Sequence, residues 1–182
     1  MSHHSAIVLL LMVLSLTAVP AAAYWQEEGV VVCHQLSLEQ WHPSAVPDGS
    51  GGAVIAWYDM RQTTGIYAQR IDRQGQVQWV ADGVPVTLMD HTVYWFDMVA
   101  DGFGGAYLAW SGKNTGETYS DIYVQHLAGD GNVTWQAGGV PICTASGSQD
   151  EPCLIDNGVD GIIAAWTDQP PAPVIGISTP RA

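Results

Sequence analysis

The apolar positions of this chain fall in short runs, and none past the first two dozen residues holds a 3.6-residue period for long. Ala53 to Tyr58 is apolar throughout, Ile66 to Ile71 is mixed, and Gly, Asp and Pro punctuate the gaps between such runs. That pattern predicts strands joined by tight turns. The same blocks return down the chain. Asp48-Gly-Ser-Gly-Gly52 precedes Ala53-Val-Ile-Ala-Trp57, Asp101-Gly-Phe-Gly-Gly105 precedes Ala106-Tyr-Leu-Ala-Trp110, and Asn157-Gly-Val-Asp-Gly161 precedes Ile162-Ile-Ala-Ala-Trp166. The tryptophans lie 53 and then 56 residues apart. Ile66-Tyr-Ala-Gln-Arg-Ile71 matches Ile122-Tyr-Val-Gln-His-Leu127. Trp79 with Gly83-Val-Pro-Val86 matches Trp135 with Gly139-Val-Pro-Ile142, and an earlier copy is Trp25 with Gly29-Val-Val-Val32. Blocks recurring in one order at one spacing are the mark of a repeat array.

Each unit reads as four strands: Pro43 to Pro47, Ala53 to Tyr58, Ile66 to Ile71 and Gln76 to Val80. The segment Gly83 to Val86 then leads into the next unit, its proline suiting an edge or a linker. Four antiparallel strands per unit describe a β-propeller blade. The expected architecture is therefore all-β, with about three four-stranded propeller-like blades in an incomplete array. The units are a partial one over 24–42, full ones over 43–95 and 96–151, and a truncated one over 152–182. The six tryptophans in register are expected to fill the space between blades, since a blade cannot bury both faces alone.

The string Gly51 to Arg61, followed by Ile66 to Arg70, Gly75 to Trp79 and Gly83 to Val86, resembles a propeller-like repeat of large secreted bacterial proteins. Many of those carry a C-terminal sorting or Ig-like domain, which this sequence lacks. The resemblance implies export and a propeller-type array, and supplies no activity. Kelch repeats share the paired glycines, the tyrosine and the tryptophan, but their glycines end a strand where these precede one.

The leading residues read as an address. Ala6 to Val19 is apolar except for Ser15 and Thr17, and Ala21 to Ala23 supplies a small-residue cleavage pattern, although His3 and His4 stand where Lys or Arg is usual. A cleaved signal peptide over 1–23 and a secreted or cell-surface domain over 24–182 follow. The run falls short of the about 20 apolar residues of a membrane span, so no integral membrane segment is expected after cleavage.

The strand order d, abcd, abcd, abc stops inside a unit. A piece of a longer array is the favoured explanation; the other is that copies associate through open blade faces to close a ring.

Composition narrows the chemistry. Eighteen carboxylates against five Lys and Arg give a net charge of −13, with no basic patch, which argues against nucleic-acid binding. Calcium is the one cofactor the acidity suggests, with Asp48, Asp101, Asn157 and Asp160 in the repeated turns as candidate ligands, though such residues also hold turns for backbone reasons alone. The three cysteines allow a Cys143–Cys153 disulfide across the turn between units, with Cys33 left over. No nucleophile elbow, phosphate loop or zinc spacing is present, and no carboxylate pair singles itself out. Trp41 and Trp95 stand outside the tryptophan register and are the candidate ligand contacts, for stacking on sugar rings; packing between blades is the competing reading. The expected function is a non-catalytic binding or structural role toward an extracellular glycan or protein. The alternative is a propeller hydrolase acting on extracellular glycan.

Overall fold

The computed structural model describes residues 29–35, 39–61, 64–87, 91–159, 161–169 and 175–178. The expected signal peptide over 1–23, Trp25, Asp160, Pro170 to Pro173 and Arg181 lie outside them. The described residues are all-β, with no helix. The first sheet is β1 (Gln40–Pro47), β2 (Ala53–Asp59), β3 (Gly65–Ile71) and β4 (Val84–Pro85), hydrogen-bonded in that order. The second repeats this order with β5 (His91–Ala100), β6 (Ala106–Asn114), β7 (Asp121–Leu127) and β8 (Val140–Cys143). The third has three strands, β9 (Ser148–Asp156), β10 (Ile162–Gln169) and β11 (Ile175–Ser178), in the order β11-β10-β9. All neighbours are antiparallel and no sheet closes on itself.

Two expectations about strands need correction. The fourth strand of the first sheet is Val84–Pro85, whereas Gln76 to Val80 makes only an isolated bridge, Ile71 to Val77. The cause is a buried glutamine. Gln69 Oε1 accepts from the Arg70 and Trp79 backbone at 2.9 and 3.0 Å, and its Nε2 donates to the Val80 carbonyl at 2.8 Å. Gln125 does the same for Trp135 and Gln136 at 3.1 and 2.9 Å. One side chain thus satisfies backbone groups that a longer ladder would otherwise pair, and the tryptophan segment is tied to the sheet only at its start, where the Gln78 N–H donates to the Arg70 carbonyl at 2.8 Å. The two prolines, Pro85 and Pro141, do sit on edge strands, where a missing N–H costs nothing in the ladder. In the third sheet, spacing along the sequence aligns Gly176-Ile177 with Gly65-Ile66 of the first unit; the pairing instead sets Gly176 opposite Trp166, as Tyr67 lies opposite Trp57.

The sheets stack face to face, and strand alternation decides which residues meet. Val54, Ala56 and Tyr58 of β2 face the second sheet, where Ala106, Leu108 and Trp110 of β6 meet them. Ala109 of β6, with Ile122 and Val124 of β7, faces the other way, toward Ile162, Ala164 and Trp166 of β10. Each of these tryptophans therefore points at the preceding sheet, and Trp57 points out from the first. A glycine with positive φ fits each indole: a Cβ on Gly83 would stand 2.6 Å from the Trp57 ring, and one on Gly139 would stand 2.4 Å from that of Trp110. Trp79 and Trp135 pack half-buried at the margins of the two cores. The expected placement of the periodic tryptophans between sheets thus holds for Trp110 and Trp166.

Candidate functional site

The residues that leave the strand pattern lie at bulges. In β1, His42 and Pro43 together face Trp57, because the register steps from Trp41 opposite Tyr58 to Ser44 opposite Ala56. In β5, Tyr94 is the extra residue between Val93 and Trp95. Trp41 and Trp95 consequently occupy matching places, opposite Tyr58 and its counterpart Ser111. Extra residues bend a strand and re-aim its side chains. Here they open a cleft of about 300 Å3 between the edges of the first two sheets, lined by Trp41, His42, Ser44, Tyr58, Tyr94 and Trp95 among others. His42 holds a positive φ of 49°, and Glu151, in the matching bulge of β9, holds 54°. Each precedes a proline, and backbone strain of this kind concentrates at functional positions.

The floor of the cleft is a ring cluster. Tyr58 stacks on Trp41 at 5.5 Å between centroids and meets Phe96 edge-on at 5.0 Å. Its hydroxyl donates to the Tyr94 carbonyl at 3.0 Å, tying β2 to the bulge of β5. Trp95 is 54% exposed and Tyr94 is 43% exposed, so their faces are open to a ligand. Both aromatic candidates singled out in the sequence therefore border one cavity. Tyr58, Tyr94 and His42 were missed there; the only sequence signal for them is the His-Pro and Tyr-Trp-Phe interruptions of the strands.

Burial pushes the Tyr58 phenol up to about 12, against a small opposing effect of the Phe96 backbone. The neutral form is therefore favoured in the fold, and the stability it contributes is complete below the ordinary value of about 10 and is lost as pH rises toward 12. Urea unfolding of wild type and Tyr58→Phe between pH 9 and 12 checks this, taking about 1.4 kcal/mol per pKa unit. Wild type is expected to lose on the order of 2 kcal/mol relative to the variant over that interval.

A second hollow, of about 180 Å3, lies beside the first and shares Tyr94 with it. Lys113, Thr118, Ser120, Ser148 and Asp150 complete its lining, and the Ser120 hydroxyl donates to Asp150 Oδ1 at 2.9 Å. One side of Tyr94 thus faces aromatic rings and the other faces hydroxyls, an amine and a carboxylate.

The turn acids serve the backbone. Asp48 Oδ1 accepts from the Ser50 and Gly52 N–H groups at 2.8 Å, while Oδ2 takes Arg70 Nη2 at 2.9 Å. Burial would raise the Asp48 carboxyl, but these backbone bonds and then Arg70 carry it below its ordinary value. Asp101 holds the equivalent turn through Phe103 and Gly105 at 2.7 and 2.9 Å, with His126 Nε2 in place of Arg70 at 3.0 Å. Asn157 repeats the turn bonds at Val159 and Gly161. Among the described residues no group of three or more His, Cys, Asp or Glu that could hold a metal ion is found. Cys143 and Cys153 are not joined; they and Cys33 are free thiols. Cys143 lies on β8 and Cys153 on the outward face of β9.

The chain matches no family model, no curated protein and no solved structure. Among the described residues no helix is long and apolar enough to cross a membrane.

Proposed function

We propose that this is an exported, non-catalytic protein of propeller-like build that binds carbohydrate along the bulged edges of its sheets. The observation that carries the reading is the meeting of Trp41, Tyr58 and Trp95 in one open cleft, although Trp41 and Trp95 stand outside the repeated tryptophan register. Sugar rings offer flat apolar faces edged by hydroxyls. Exposed aromatic faces match the first, and the hydroxyls, Lys113 and Asp150 of the adjoining hollow match the second. The lining of the aromatic cleft contains no carboxylate, so it supplies stacking and hydrogen bonding without the two opposed acids that glycoside hydrolysis uses. Antiparallel sheets of four, four and three strands stacked in series, with Trp110 and Trp166 each turned to the sheet before, support the propeller-like build. The leader-like first residues support export.

The test is a glycan array followed by titration of the best hit. Trp95→Ala is expected to weaken binding about tenfold or more, because exposed aromatic anchors dominate such contacts. The fold should be unchanged, since the side chain already stands half in solvent. Equal binding by wild type and Trp95→Ala would sink the cleft as the site. Release of free sugar from any panel member would favour the hydrolase reading instead.

A further inference from the structure

The third sheet exposes a face that its two counterparts bury. Ile155, opposite Ile163 in the pairing, occupies the place of Val46 in the first sheet and Val99 in the second, both packed into inter-sheet cores. Here Ile155 is 59% exposed. Ile163 and Ala165 likewise stand where the first sheet has the fully buried Val54 and Ala56. Among the described residues the third sheet ends at β11, whereas β3 and β7 each carry a further strand, β4 and β8.

The other end of the stack holds the complement. Residues 29–33 match β4 in sequence, and Gly29 has φ +85°, as does Gly83. Gly83 and Gly139 use that conformation to lie against a tryptophan ring, but among the described residues nothing stands within 4 Å of a Cβ built on Gly29. Val31 beside it is 56% exposed. Next to this segment, Ile55 and Trp57 lie on the face of β2 turned away from the second sheet; Trp57 is itself only 4% exposed, and with Val32, Cys33, Trp41 and Pro43 they border an apolar hollow of about 220 Å3. That is the tryptophan-bearing face which, in the second and third sheets, covers the sheet before it.

We propose that a second copy of this chain supplies what the third sheet lacks: its residues 29–33 add as a fourth strand beside β11, with Gly29 toward Trp166, and its Trp57 face packs on Ile155, Ile163 and Ala165. The contact continues the two inter-sheet interfaces already within the chain, with the same residue classes in the same register. It is head-to-tail, so two copies make it twice and close a cycle of six sheets, within the about 4–8 of closed propellers. The ring geometry rests on the propeller-like reading; the docking rests only on the equivalence of the sheets and is independent of what the cleft binds.

Sedimentation and light scattering on the purified chain test this. Wild type is expected at the mass of two copies. Val30→Pro removes an N–H from the added strand, and Ile155→Asp places a charge in the docking face. Each is expected to halve the mass with an unchanged circular dichroism spectrum, because both residues lie outside the cores of the single chain. Val31→Pro should leave the dimer intact, since Pro85 and Pro141 occupy that position in β4 and β8. Mixing Val30→Pro with Ile155→Asp should restore a dimer, because one of the two contacts is then wild type on both sides. A monomeric wild type, a dimer indifferent to both substitutions, a mixture that stays monomeric, or growth beyond two copies would each overturn the proposal. Glycan binding, measured on the same variants, reports the cleft separately.

Discussion

Trp110→Ala is expected to cost about 3–5 kcal/mol, a large share of the about 5–15 kcal/mol that holds a domain of this size together. The indole is 0% exposed, lies in the core between the first and second sheets, and stacks on Tyr123 with centroids 5.8 Å apart. Gly139, just before β8, leaves its own side empty so that the ring can lie there. Truncation therefore leaves a hole between rigid layers, the case in which relaxation recovers least. Urea unfolding followed by far-ultraviolet circular dichroism measures the loss without relying on tryptophan emission. The companion substitution Trp110→Phe should cost less than Trp57→Phe. Trp57 Nε1 donates to the buried Asp59 carboxylate at 3.0 Å, whereas Trp110 Nε1 finds no partner among the described residues, Gly112 standing where the first sheet has Asp59. A Trp110→Ala protein as stable as wild type would mean that the sheets are held together by something other than this layer.

How much of this was legible beforehand depends on whether a feature is local or made by convergence. The strands around Trp57, Trp110 and Trp166 could be read from the chain because turn glycines, apolar runs and the ring recur together, and each carries its own structural reason. The tryptophan segments 76–80 and their counterparts were misread as strands, because a single buried glutamine, Gln69 or Gln125, supplies bonds that a periodicity argument assigns to a ladder. The turn acids were ambiguous in sequence, since the same Asp suits a cation or two N–H groups; the bonds to Gly52 and Gly105 show it holding the backbone. The cleft was half visible. Trp41 and Trp95 could be marked as out of register, but their shared cavity depends on bulges that turn both strands at one end of the stack, and bulge geometry is set by pairing between strands. The third sheet's register was off by two because the spacing alone could not show which residue of β11 lies opposite Trp166.

Arg61→Met is expected to destabilise by about 3–5 kcal/mol near neutral pH, through the charge it leaves behind. Asp59 is 0% exposed, and Arg61 clamps it with Nε to Oδ1 at 2.9 Å and Nη2 to Oδ2 at 2.6 Å. The same guanidinium lies 3.8 Å over the Tyr67 ring and donates to the Asp82 carbonyl at 2.8 Å, closing the end of the first sheet. Burial alone would raise the Asp59 carboxyl; hydrogen bonds from Arg61, from Trp57 Nε1 and from the Arg61 backbone, with the Arg61 charge, bring it below its ordinary 3.8. In wild type the stability from the pair is therefore present above about 3.8 and is lost as pH falls below it. Without the guanidinium, burial is the larger influence and the carboxyl is raised, so the variant takes up a proton on folding as acid is added. The gap between variant and wild type should accordingly be widest near pH 7 and shrink toward pH 4, and Asp59→Asn placed in the Arg61→Met background should recover part of it at pH 7. A double-mutant cycle by urea unfolding at the two pH values reads both effects. A deficit of equal size at both, with no recovery from the neutral amide, would assign the loss to the missing contacts with Tyr67 and Asp82 and not to the stranded carboxylate.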